Sequence, residues 1–208
     1  MKNVRYIAVN DCVDTANRNN DIAALKNVMN EFYSRDNSRK IRSSIRARAK
    51  AGLYRCSYAP FGYRKAPDNH NRLIIDEETA PIVKRIFELA GAGMGAHKIA
   101  KQLREEQAAA PSWWQHTRGE KDYSQRFSNP ENKYEWSHTV IRNIIKNPVY
   151  LGHTIMCKKE IIFKVGKYRD IPEEEQIRVD NTHEPLVTQE DFDNANAKIL
   201  SRRRDTTD

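Results

Sequence analysis

The most regular pattern in the chain starts at Ile22, where Leu25, Val28, Met29, Phe32 and Tyr33 follow at three- and four-residue steps. That spacing lines one face of an α-helix and predicts one here, a stem whose apolar face packs into a core. Asn20 and Asp21 both suit its N-cap. Neither Pro nor Gly interrupts before Gly52, so the helix is expected to run to about residue 51 and stop at that glycine. Upstream, Val4 to Val9 is a β-branched and aromatic run bounded by Asn10 and Asp11, which reads as a strand. A lone strand makes no sheet, so it is expected either to end a sheet whose other strands lie elsewhere or to be an edge.

Downstream the pattern changes repeatedly. Leu53 to Lys65 is rich in aromatic, basic and turn residues and suits an ordered linker, with Pro60 and Gly62 marking a turn. Leu73 to Asp76 reads as a short strand. Asp76, Glu77 and Glu78 then open a helix with Pro81 in its first turn and Ile82, Val83, Ile86, Phe87 and Leu89 on its buried face. Gly91, Gly93 and Gly95 break it. Ile99, Ala100 and Leu103 predict a helix from Ala96 to about Gln107, and Val140, Ile141, Ile144 and Ile145 predict another from Ser137 to Lys146. The two are expected to pair as a helix-turn-helix with a long insertion, parts of which must be ordered. Within that insertion, Trp113 and Trp114 could stack on nucleic acid or pin the loop to the core.

From Tyr150 the runs shorten. Tyr150–Met156, Ile161–Val165 and Gln176–Val179 predict a small antiparallel sheet, with an acidic turn at Pro172–Glu175. Thr188 and Asp191 suit the start of a last helix through Phe192, Ala195 and Ile199, ending in a frayed basic tail, Arg202–Arg204. The fold class expected is α+β: a long helix leading into a helix-turn-helix-containing domain with a small antiparallel sheet. The domain boundary is placed at 1–52 and 53–208.

Charge gives the pattern a purpose. The 208 residues carry 36 Lys and Arg against 28 Asp and Glu, a net +8, and such an excess favours polyanionic partners. Much of it falls in the second half of the long helix: Arg35, Arg39, Lys40, Arg42, Arg46, Arg48 and Lys50, with almost no acid after Asp36. Cations spaced at i,i+4 without acidic neighbours repel one another, which favours phosphate contacts over a merely solvated face. Arg55 and Arg64 in the linker can track the same backbone. The helix from Ser137 presents Ser137, His138, Thr139, Arg142, Asn143 and Lys146 on its polar side, donors suited to base edges and phosphates, although Ser137 is equally a ready N-cap. Cys12, Cys56 and Cys157 stand far apart, so neither a disulfide framework nor a zinc ribbon is indicated. With no apolar run of spanning length and no leader pattern, the expectation is a reduced, cytosolic chain without cofactor or metal, and the cationic row with the donor-faced helix makes double-stranded DNA its expected partner.

The order of segments carries a resemblance. VNDCVDT, the helix NDIAALKNVMNEFYSRDNSRKIRSSIRARAKAG, APFGYRK, IIDEETAPIVKRIFELAGAGMGAHKIAKQL, WSHTVIRNIIKNPVYLGH and NTHEPLVTQEDFDNA together resemble the large serine recombinases of transposons and prophages over nearly the whole chain. The resemblance implies that 1–52 is the end of a resolvase-like catalytic domain with its linking helix, through which subunits associate, and that 53–208 is the recombinase DNA-binding domain. It also implies that the nucleophilic serine precedes this segment, that a zinc ribbon and coiled coil follow Asp208, and that the chain alone does not cut DNA. Two alternatives stay open: a helix-turn-helix transcription regulator without recombinase activity, and an RNA-binding or structural module.

Overall fold

The computed structural model describes residues 5, 7–8, 13–14, 21–161 and 166–204. Its contacts divide the chain into two compact units, Met1–Ala47 with Lys159–Arg169, and Arg48–Lys158 with Asp170–Asp208. The architecture is mixed α and β, with six α-helices among the described residues.

In the first unit, strand β1 (Ile7–Ala8) pairs antiparallel with β2 (Val13–Asp14). Val4, Tyr6 and Val9 of the expected strand lie outside the described residues, as does the candidate cap Asn20. Helix α1 (Asp21–Lys50) has the expected length. Its apolar stripe is not packed into a core: Leu25, Val28, Met29, Phe32, Tyr33 and Ile41 are all exposed, Tyr33 by 72%. Periodicity reveals that a face is apolar, not what covers it.

The end of α1 belongs to the second unit and shows why it stops. Gly52 adopts φ +72, its N–H bonds to the Ala49 carbonyl and the Leu53 N–H to that of Arg48, the paired closure of a left-handed C-cap. Ala49 is fully buried, and a Cβ on Gly52 would sit 3.0 Å from the Thr182 methyl. The following segment is only partly a linker. Tyr63–Lys65 forms β3, antiparallel to β4 (Leu73–Ile75) with Tyr63 opposite Ile75. Gly62, at φ +93, lets this hairpin close on the core, since a Cβ there would lie 2.8 Å from both Val83 and Leu186.

The core of this unit is helical. Helix α2 (Ala80–Gly91) contributes Val83, Ile86 and Phe87, α3 (Ala96–Glu105) contributes Ile99 and Leu103, and α5 (His138–Ile145) contributes Ile141, Ile144 and Ile145. The insertion between α3 and α5 is ordered, with α4 (Pro111–Thr117) and two 3-10 turns at Arg126–Ser128 and Pro130–Tyr134. Helix α6 (Gln189–Arg204) packs on α2 through Ala195 and Phe192 and stays helical to Arg204, where a frayed tail was expected. Thr188 begins it as expected, its hydroxyl accepting from the Asp191 N–H at 3.2 Å.

The single small sheet expected here is two separate ladders. β5 (Thr154–Met156) pairs antiparallel with β8 (Ile177–Val179), while β6 (Lys159–Ile161) pairs with β7 (Tyr168–Asp170), and residues 162–165 lie outside the description. Tyr150 and Leu151 belong to a 3-10 turn, not a strand, because Tyr150 is drawn into the core, where its hydroxyl donates to the Phe61 carbonyl at 2.9 Å.

The acids ahead of α2 do not enter its first turn. Instead, Asp76 is buried and receives hydrogen bonds from the Thr79 hydroxyl and the Arg118 guanidinium, each at 2.7 Å, while Arg118 also reaches Glu78 at 2.8 Å. Burial works to raise the Asp76 carboxyl, but the bonds from Arg118 and Thr79 outweigh it and hold it below the ordinary carboxylate range. Arg118→Ala is therefore expected to destabilise this unit by roughly 2–3 kcal/mol at neutral pH. A depressed carboxylate stabilises above its unfolded value of about 4 and loses that contribution as pH falls through its folded value. Denaturation from neutral pH downward should show the gap between wild type and Arg118→Ala closing below about pH 4; a gap constant with pH would contradict the role given to Asp76.

Candidate nucleic-acid interface

Helix α5 is held at both ends. Trp136, just before it, is buried, donates from Nε1 to the Ala108 carbonyl at 2.8 Å and meets Phe61 edge-on. Ser137 is the N-cap, its hydroxyl accepting from the Thr139 N–H at 3.3 Å. At the other end, Asn196 of α6 donates to the Ile145 carbonyl at 2.9 Å. With Ile141, Ile144 and Ile145 facing α2, α3 and α6, the opposite side exposes Ser137, Thr139, Arg142, Asn143 and Lys146. No side chain of the described residues pairs with Arg142, Asn143 or Lys146, so these donors face solvent uncommitted. His138 differs: it is half-buried and stacks on His97 of α3.

The cations of α1 divide into two kinds. Arg35 pairs with Glu31 at 2.9 Å and Lys40 with Asp36 at 2.8 Å, each one turn back. Arg42 donates to the Ile161 carbonyl of β6 at 2.8 Å. Arg39 and Arg46, and in the second unit Arg48 and Lys50, are exposed with no acidic partner among the described residues. Exposed i,i+4 ion pairs contribute little, so Arg35 and Lys40 can exchange their acids for phosphates at small cost. Arg55 and Arg64 are also exposed and without a partner among the described residues, Arg64 on β3.

The two tryptophans are committed inside the insertion. Trp113 meets Phe127 edge-on at 5.2 Å and carries the Lys133 ammonium over its face, and Trp114 carries the Arg118 guanidinium at 4.9 Å. These contacts favour an anchoring role for both rings. The Trp114 Nε1 is buried without an acceptor among the described residues. Beside it a cleft of about 240 Å³ opens between Tyr58, Phe61 and Arg118. Sequence reasoning missed Arg118 and His97, whose partners lie far along the chain. Among the described residues no group of three or more His, Cys, Asp or Glu could hold a metal ion, and no helix is long and apolar enough to cross a membrane.

A family model described as Recombinase matches residues 77–202. The chain belongs to the Recombinase family. Its fold is similar to a solved structure described as "Crystal Structure of a LSR-DNA Complex", at 17% sequence identity and a TM-score of 0.51, covering 79% of this chain and 38% of that one. A second, "Sequence Requirements of the Listeria innocua prophage attP site", aligns at 18% identity and a TM-score of 0.47, covering 79% of this chain and 52% of that one. The chain thus spans between a third and a little over half of the length of the proteins it matches. The family match is to Recombinase, and the likeness to the LSR-DNA structure holds at the level of the fold.

The Ser137 cap makes a prediction that needs no ligand. Ser137→Ala should lower stability by about 1 kcal/mol, and Ser137→Asp should restore most of it. Chemical denaturation checks this, and an unchanged midpoint for Ser137→Ala would free Ser137 for a role in contacts alone.

Proposed function

We propose that this chain is the DNA-binding part of a serine site-specific recombinase, recognising attachment-site or transposon-end DNA so that strands can be exchanged there. The observation that carries the reading is the pairing of Recombinase-family membership with an anchored helix, α5, whose outer face is Arg142, Asn143, Thr139 and Lys146. Arg and Asn have the fork geometry for bidentate contacts to guanine and adenine in a major groove, and α3 with α5 serve as the helix-turn-helix. The free cations Arg39, Arg46, Arg48 and Lys50, together with Arg55 and Arg64, neutralise phosphates without reading sequence. The parent protein exchanges a DNA phosphodiester for a phosphoserine bond and later reverses it, conserving bond energy through a covalent intermediate. Subunits associate through the exposed stripe of α1, whose Phe32 and Tyr33 would be costly to leave in water. The setting is bacterial cytoplasm, on nucleoid or element DNA.

The two kinds of contact separate by experiment. Arg39→Gln with Arg46→Gln should weaken binding to every duplex and reduce the slope of log K against log salt by about 0.9 for each lost phosphate contact. An unchanged slope in a folded variant would make these side chains a solvated face. Arg142→Ala or Asn143→Ala should instead lower preference for a selected site by roughly 1–3 kcal/mol while leaving binding to random duplex nearly unchanged. Equal losses on both kinds of duplex would contradict base reading by α5 and would favour a regulator or a module that binds nucleic acid by charge.

A further inference from the structure

The start of α5 carries a contact that the readout face does not explain. The imidazole of His138, its first residue, lies parallel to that of His97, the second residue of α3, with centroids 4.1 Å apart and planes 22° from coplanar. His97 is exposed, and its ring makes no hydrogen bond or ion pair among the described residues. His138 has its Nε2 3.4 Å from the hydroxyl of Thr139, the next residue along the helix. A half-buried histidine at a helix start would otherwise still sample more than one rotamer, and ordering it on binding costs free energy each time. Lying flat on a ring from the neighbouring helix removes that freedom beforehand, while the imidazole edge stays available.

We propose that His97 is a positioning residue for sequence recognition: by stacking on His138 it holds that imidazole, and the Thr139 hydroxyl beside it, in the orientation that meets a base pair. The inference rests on the reading of α5 as the groove-facing helix. It assigns to α3 a part in specificity beyond packing, because the N-terminal residues of a recognition helix are the ones that meet base edges. What the contact requires of residue 97 is a flat ring; its nitrogens are not needed.

That requirement gives the test. The full chain would be used to select from a pool of duplexes randomised over two helical turns, as wild type, His138→Ala, His97→Ala, His97→Phe and the double alanine variant, with thermal unfolding confirming each fold. The expected result is that His97→Ala lowers base preference by about three- to tenfold at the same base pairs that His138→Ala affects, less than the loss of a full bidentate contact. The double variant should lose no more than His138→Ala alone, the signature of residues acting as one unit. His97→Phe should retain the wild-type profile. An unchanged profile for His97→Ala, or losses at different base pairs, would overturn the proposal. So would a His97→Phe variant as impaired as His97→Ala, because the nitrogens rather than the stack would then matter, and so would a uniform loss across all sequences, which marks a phosphate contact. A wild type that selects no sequence refutes the reading of α5 and the inference with it, an outcome distinct from a selective wild type that His97→Ala leaves untouched.

Discussion

An isolated helix of eight residues does not persist in water, because nucleation costs more than so few hydrogen bonds return. Helix α5 therefore exists through what grips it: Ile141, Ile144 and Ile145 in the core, Trp136 tied to Ala108 at its start, and Asn196 on its last carbonyl. Much of the second unit serves this grip. α6 supplies Asn196, the insertion supplies Trp136, and the Asp76–Arg118–Thr79 cluster joins the insertion to the turn before α2. A helix held this way fixes the backbone from which Arg142 and Asn143 project, the pre-organisation that the proposed base recognition requires.

The charges of α1 work under a different constraint. Nothing in a row of arginines encodes sequence, and their value to a DNA-binding chain lies in affinity and register. The structure nevertheless makes them unequal. Arg42 is engaged with the backbone of β6 and Arg35 and Lys40 with acids one turn back, leaving Arg39 and Arg46 as the uncommitted pair on that face of the helix. The exposed apolar stripe earlier in the same helix is where the proposed association of subunits would take place.

What the sequence disclosed follows from the range of each signal. The helices α2, α3, α5 and α6 were legible because their apolar positions repeat within one or two turns, and the Ser137 and Thr188 caps because their partners lie two or three residues on. Tyr63–Lys65 was hidden because its aromatic and basic residues read as a linker, and the strand opposite it is separated by a loop. Arg118 lies 42 residues from Asp76, and His97 meets His138 across the whole insertion, so neither leaves a local trace. The apolar face of α1 was read correctly as apolar and wrongly as core, since the same spacing describes a face left exposed.

The central claim is that α5 is the element that meets the bases. Backbone amide shifts of the full chain, followed by nuclear magnetic resonance as a duplex recovered by selection is added, test it most directly. The account predicts that the largest changes cluster at residues 137–146 and at His97, with smaller, salt-sensitive changes at Arg39, Arg46 and Arg64. Changes centred on α2 and α6, with residues 137–146 unmoved at saturation, would contradict it.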